Sequence, residues 1–194
     1  MNRKDYKKAI DSLEKAMIKD PDSFVITHDL CRLYLRENND EKAVELVEKL
    51  VRKNPDNVDG LLLFIQLKKE SLDKKNRVEL LNRILLLDPK NKETFLRLAK
   101  IYMEGENNPE ALILLKKMVE QFPDYYVAWF YLGKVYLAEK QYELAKIQFL
   151  KTLELEPDLV ESRFQLIKIF SRQNSLEDNT KILNLYEEIF DTGC

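Results

Sequence analysis

Glycine is scarce in this chain, with four in 194 residues, and six prolines add little turn-forming material. That is too few for the many tight turns of a barrel or sandwich, or for a phosphate-cradling loop, so helices are expected throughout. The two cysteines, Cys31 and Cys194, stand far apart with no CxxC spacing. Neither a disulfide framework nor a zinc-finger pattern is implied, and a reducing, cytoplasmic setting is expected. No run of eighteen apolar residues occurs, and the opening residues MNRKDYKKAI carry no apolar leader core, so no membrane segment is expected. Charge of one sign is lacking as well: 32 Lys and Arg face 34 Asp and Glu, a net charge of -2. No global field then draws the chain to nucleic acid or anionic lipid, and partners must be chosen locally.

What the chain does have is a period. Prolines stand at 21, 55, 89, 123 and 157, four successive gaps of 34 residues, and Pro109 alone lies outside the series. A proline cannot donate a backbone hydrogen bond and biases its predecessor away from helical angles, so each marks the end of a helix at one phase of a repeat. With Phe24, Val58, Lys92, Tyr126 and Val160 as first residues of five repeats, the seventh slot holds Leu30, Phe64, Leu98, Leu132 and Leu166. The tenth slot holds Leu33, Leu67, Ile101, Val135 and Ile169, and the eleventh Tyr34, Lys68, Tyr102, Tyr136 and Phe170. This spacing is helical. After polar stretches such as ENND (37–40) and EGENNP (104–109), a second apolar stripe begins, for example Ala43, Val47 and Leu50, or Ala145, Phe149 and Leu153. Asp22, Asp56, Asp124 and Asp158 follow their prolines, where a carboxylate is expected to cap the next helix.

Trp129, Leu132, Gly133, Tyr136, Ala145, Phe149 and Pro157 fill the pattern W-x2-L-G-x2-Y, A-x3-F, P. In these residues the chain resembles the tetratricopeptide repeat (TPR) family, and the resemblance covers nearly its whole length. It implies an all-α fold, a right-handed alpha-alpha superhelix (TPR solenoid) of antiparallel helix hairpins. The expected array is a half repeat at 1–23 (Tyr6, Ala9, Leu13, Ala16, Pro21), repeats at 24–57, 58–91, 92–125 and 126–159, and a drifting last repeat at 160–194. Residues 58–91 depart from the pattern, since Arg77 takes a small-residue slot and Lys68 an aromatic one. In the last repeat RQNSLEDN lengthens the turn by about three residues, which brings Ile182, Leu183, Tyr186, Ile189 and Phe190 into phase. A half repeat at one end and no polar capping helix after Phe190 lead us to expect a longer array or a covering subunit.

No combination of nucleophile, base and orienting group, and no metal-ligand spacing, is present, so neither an enzyme nor a cofactor is expected. His28, next to Asp29, reads as a solvated surface residue, Cys31 as a packed apolar group, and Trp129 with the eleventh-slot tyrosines as core. The family resemblance implies that first helices line a concave groove. Down that face the ninth slot reads Arg32, Gln66, Lys100, Lys134 and Lys168, and the fifth His28, Leu62, Leu96, Phe130 and Phe164; the sixth adds Arg97 and Tyr131. Lys100 has a possible helical partner in Glu104, whereas Lys134 and Lys168 have no local acid.

The candidate peptide-binding residues are therefore Leu62, Leu96, Arg97, Lys100, Phe130, Tyr131, Lys134, Phe164 and Lys168. The expected partner is a protein or peptide, acidic with apolar anchors. Arg32 and Leu63 stand where the chaperone-tail binders of the family carry asparagines, so that function is not implied. Two other readings stay open: a scaffold that self-assembles into a homo-oligomer through its repeat ends, and the regulatory part of a larger multidomain protein. A nucleic-acid reader is disfavoured by the negative net charge.

Overall fold

A computed structural model describes residues 3–173 together with Thr180, Asn184 and Leu185. The expected contribution of Ile182, Leu183, Tyr186, Ile189 and Phe190 lies outside the described residues. Ten α-helices and no strand occur among them: α1 (Arg3–Lys19), α2 (Phe24–Arg36), α3 (Asp40–Lys53), α4 (Val58–Leu67), α5 (Lys74–Leu87), α6 (Lys92–Glu104), α7 (Asn108–Gln121), α8 (Tyr126–Ala138), α9 (Tyr142–Leu155) and α10 (Val160–Gln173). They fall into two compact units, 1–91 and 92–194.

In the first unit each helix packs on its sequence neighbour, from α1 on α2 to α4 on α5. Leu30, Cys31, Tyr34, Ala43, Val47 and Leu63 form a buried cluster onto which Ile10, Leu13 and Met17 of α1 also pack. Cys31 is fully buried, its Sγ donates to the Ala43 carbonyl at 3.4 Å, and burial pushes its thiol up to about 11. At neutral pH it is a protonated, apolar packing group rather than a nucleophile. The aspartates after the prolines do not cap. Ser23 and Asn57 hold the N-cap positions, with the Asn57 side chain accepting from Gly60 N–H at 2.7 Å. Asp22 and Asp56, one residue earlier, instead accept from Lys53 at 2.5 Å and Arg83 at 2.7 Å.

The departures at 58–91 have local consequences. Helix α4 ends at Leu67, at ten residues, where α2 has thirteen. Lys68 then caps it and pairs with Glu48 of α3 at 2.8 Å, while Arg77 leaves its Nε buried without a partner. The hydrogen bond from Lys68, helped by Arg52, holds the Glu48 carboxyl below the usual carboxylate range. A carboxyl depressed in the folded state adds stability at pH above its unfolded value, and that contribution is lost as the pH falls through the folded value. The thermal midpoint of wild type should therefore exceed that of Lys68→Gln at pH 7, and the gap should shrink below about pH 4.3. An equal gap at pH 7 and pH 2 would show that the pair contributes nothing.

The second unit repeats the scheme from α6 on α7 to α9 on α10. Where α6 and α8 turn back, Glu106 and Lys140 adopt φ of 56° and 59°, and the following amides return to the carbonyls of Tyr102 and Tyr136 at 2.9 Å. That bond satisfies a helix-end acceptor that would otherwise be orphaned. Gly133 of α8 lies against the Phe149 ring of α9: a Cβ there would stand 2.8 Å from Cε1. The Trp129 indole N–H donates to the Pro123 carbonyl at 2.7 Å, fastening α8 to the preceding turn.

One register rule holds in both units. At Tyr34, Lys68 and Tyr136 the eleventh-slot side chain meets the residue twenty positions earlier, on the second helix of the preceding repeat. Tyr34 donates to Glu14 at 2.6 Å, Lys68 pairs with Glu48, and the Lys116 ammonium lies 5.9 Å from the Tyr136 ring centroid. Burial, then the Glu14 bond, pushes the Tyr34 phenol well above its ordinary range, so it stays a donor. The slot is constant, and the chemistry filling it changes from repeat to repeat.

Candidate binding groove

The first helices of the second unit are α6, α8 and α10, and their ninth-slot lysines all reach solvent: Lys100, Lys134 and Lys168 are exposed. Their stems rise from helices whose buried side is held by Leu98, Leu132 and Leu166, all less than 4% exposed. Helical geometry puts the ninth slot away from the seventh, which directs the ammonium groups outward.

Two of these lysines converge on one ring. Lys100 Nζ lies 5.1 Å and Lys134 Nζ 5.3 Å from the Tyr131 ring centroid, and Lys134 is also 5.8 Å from that of Phe130. Phe130 and Tyr131 meet edge to face at 5.6 Å. Such contacts are worth about 0.5–1 kcal/mol at exposed sites, enough to bias the lysines toward the rings without neutralising them. Among the described residues neither lysine has a carboxylate within ion-pairing distance, and neither has Lys168. The helical partner expected for Lys100, Glu104, does not pair with it, because the ammonium points across to α8.

The other expected residues divide. Leu96 is half-buried and Phe164 is 43% exposed, so both offer apolar surface. Arg97 is half-buried and fork-bonded to Glu93 at 2.6 and 2.9 Å, which balances its charge within α6. Phe130 is partly inserted into its own hairpin, 5.9 Å from the Phe149 ring. Leu62 is half-buried and belongs to the first unit, apart from the others. Sequence reasoning missed Lys92 and Tyr125, which extend the aromatic and cationic surface: Lys92 Nζ lies 4.9 Å from the Phe122 ring and 5.1 Å from that of Tyr125. Burial, followed by Tyr126, raises the Tyr125 phenol, while Lys100 opposes the shift. The run Phe122, Tyr125, Tyr126 was the available signal.

Among the described residues no cluster of three or more His, Cys, Asp or Glu is placed to hold a metal, and no helix is long and apolar enough to cross a membrane. Profiles of the tetratricopeptide repeat match residues 1–63, 93–125 and 126–159. The chain belongs to the tetratricopeptide repeat family. TPR proteins are generally non-catalytic and bind protein or peptide partners, which supports a protein-interaction module here. Solved TPR structures share the fold. MamA 41-end from Desulfovibrio magneticus RS-1 is 17% identical, with a TM-score of 0.70 over 86% of this chain and 93% of that one. YrrB, described as a TPR protein with an unusual peptide-binding site, is 17% identical, with a TM-score of 0.68 over 93% and 92%. The pilF protein of Pseudomonas aeruginosa is 19% identical, with a TM-score of 0.69 over 96% and 79%. No curated protein matches.

Proposed function

We propose that this TPR protein is an adaptor that holds an acidic protein or peptide segment along the first-helix face of its second unit. The observation that supports the reading is the convergence of Lys100 and Lys134 on Tyr131 with no carboxylate from the described residues beside either. A cation held by a ring face keeps most of its charge available to an incoming anion. Carboxylates of the bound segment meet Lys100, Lys134 and Lys168, and its apolar side chains meet Leu96, Phe130, Tyr131 and Phe164. Apolar and aromatic contacts supply most of the affinity in such an interface, and the charges set register and association rate. Arg97, already bonded to Glu93, contributes shape rather than charge.

The test is a titration of a fluorescent acidic peptide with aromatic anchors, followed by polarisation at several salt concentrations. Lys134→Glu is expected to weaken binding by about tenfold and to flatten the salt dependence. Equal affinity and equal salt slope for wild type and variant would end the reading.

A further inference from the structure

Second helices repeat their outward face as regularly as their core. At matching positions 34 residues apart that face is polar: Lys8, Asp11 and Glu14 in α1, Lys42, Glu45 and Glu48 in α3, Asn76, Glu79 and Asn82 in α5. Helix α7 keeps Glu110 and Lys116 with Ile113 between them, and α9 replaces all three with Leu144, Ile147 and Leu150. These three residues are 41%, 55% and 46% exposed. They are not the core of their hairpin, which is held by Ala145, Phe149 and Thr152 on the opposite side of α9. Spaced three apart, they share about 120° of the helix surface. A helix apolar on both sides calls for cover on both.

The order of residues on this face says what covers it. Counted outward from Ile147, Leu144 and Leu150 stand three positions to either side, and Glu143 and Lys151 stand four positions to either side. The face is its own complement about a two-fold axis through Ile147. An antiparallel second copy sets Ile147 on Ile147, Leu144 on Leu150 and Glu143 on Lys151. A parallel copy in register would oppose acid to acid and base to base. Within one chain Glu143 already pairs with Lys146, and Lys151 with Glu154 at 2.7 Å. The rim thus carries no net charge that would select a charged partner or repel a second copy. The antiparallel register lengthens these pairs into one alternation of sign and breaks neither of them.

We propose that the outward face of α9 is a contact surface for a second copy of this chain, arranged antiparallel about Ile147. A single helix face is smaller than the roughly 1,600 Å² of a standard interface, so the dimer is weak and reversible. The surface belongs to a second helix and the lysine row to first helices, so neither reading depends on the other.

Sedimentation velocity of the full chain from about 10 µM to about 1 mM is expected to show a rising weight-average mass. Ile147→Asp brings a charge against itself at the axis and should abolish the rise without lowering the thermal midpoint. Ile113→Asp removes a more exposed isoleucine, 71% accessible, one repeat earlier and should leave the rise intact. Register is read by cysteine cross-linking with diamide in a Cys194→Ser background, where the one remaining native thiol, Cys31, is buried. Ile147→Cys should link to itself, and a mixture of Leu144→Cys and Leu150→Cys chains should link several-fold faster than either alone. The proposal is overturned by a monomer throughout the concentration range, by an Ile147→Asp chain that associates like wild type, by loss of association in Ile113→Asp, or by Leu144→Cys chains linking to themselves as fast as to Leu150→Cys.

Discussion

Phe149→Ala is expected to lower the stability of the second unit by about 3–5 kcal/mol, the loss usual for truncating a fully enclosed aromatic ring. The Phe149 ring is 0% exposed, fits against Gly133 of α8, and lies 5.9 Å from the Phe130 ring. Its removal loses the transfer free energy of the ring and an aromatic contact worth about 0.5–1.5 kcal/mol. A cavity is left as well, since Ala145 one turn away is too small to fill it. A domain of this size has only about 5–15 kcal/mol in total, so the urea midpoint followed by circular dichroism should fall clearly. Phe164→Ala is the control: with 43% of that residue exposed, it should cost below about 1 kcal/mol. Equal losses in the two variants would mean that the α8–α9 hairpin is not closed around Phe149.

Gly133→Val tests the same contact from the other side and is expected to cost about 3 kcal/mol, near the upper end for overpacking. The new Cβ would stand 2.8 Å from Cε1 and 3.0 Å from both Cδ1 and Cζ of Phe149. The ring is fully buried with Phe130 beside it at 5.9 Å, so relieving the overlap is expected to lift α8 from α9. Leaving glycine inside a helix returns less than about 1 kcal/mol of helix propensity, too little to offset the clash. Contacting residues do not contribute additively. Phe149→Leu made in the Gly133→Val background should therefore cost much less than in wild type. Two losses that simply sum would show that the residues do not touch.

The fold was readable because its signals are local and repeated. First helices begin at Phe24, Val58, Lys92, Tyr126 and Val160, each three residues after a proline of the 34-residue series. The shortened α4 was foreshadowed by Lys68 and Arg77, residues that spoil an aromatic and a small-residue slot. What the sequence could not show was which charges cancel. Same-helix spacing is visible in a string of letters, and it suggested Glu104 for Lys100; the partner is the Tyr131 ring on another helix. The same blindness made Arg97 look available when Glu93 holds it, and made Asp22 and Asp56 look like caps when Lys53 and Arg83 claim them.

The changing partners of the eleventh slot give the junctions at Tyr34, Lys68 and Tyr136 a lock apiece. Sliding α4 from α3 onto α7 would bring the Lys68 ammonium to Lys116 instead of Glu48, and sliding α8 onto α3 would trade a cation beside Tyr136 for a carboxylate. Repeats copied from one template, with interchangeable apolar stripes, thus carry a polar address that disfavours misthreaded orders of assembly. Shuffled chains in which these pairs are moved out of step should collapse into helical but poorly ordered products, whereas chains that move each pair together should still find a single arrangement.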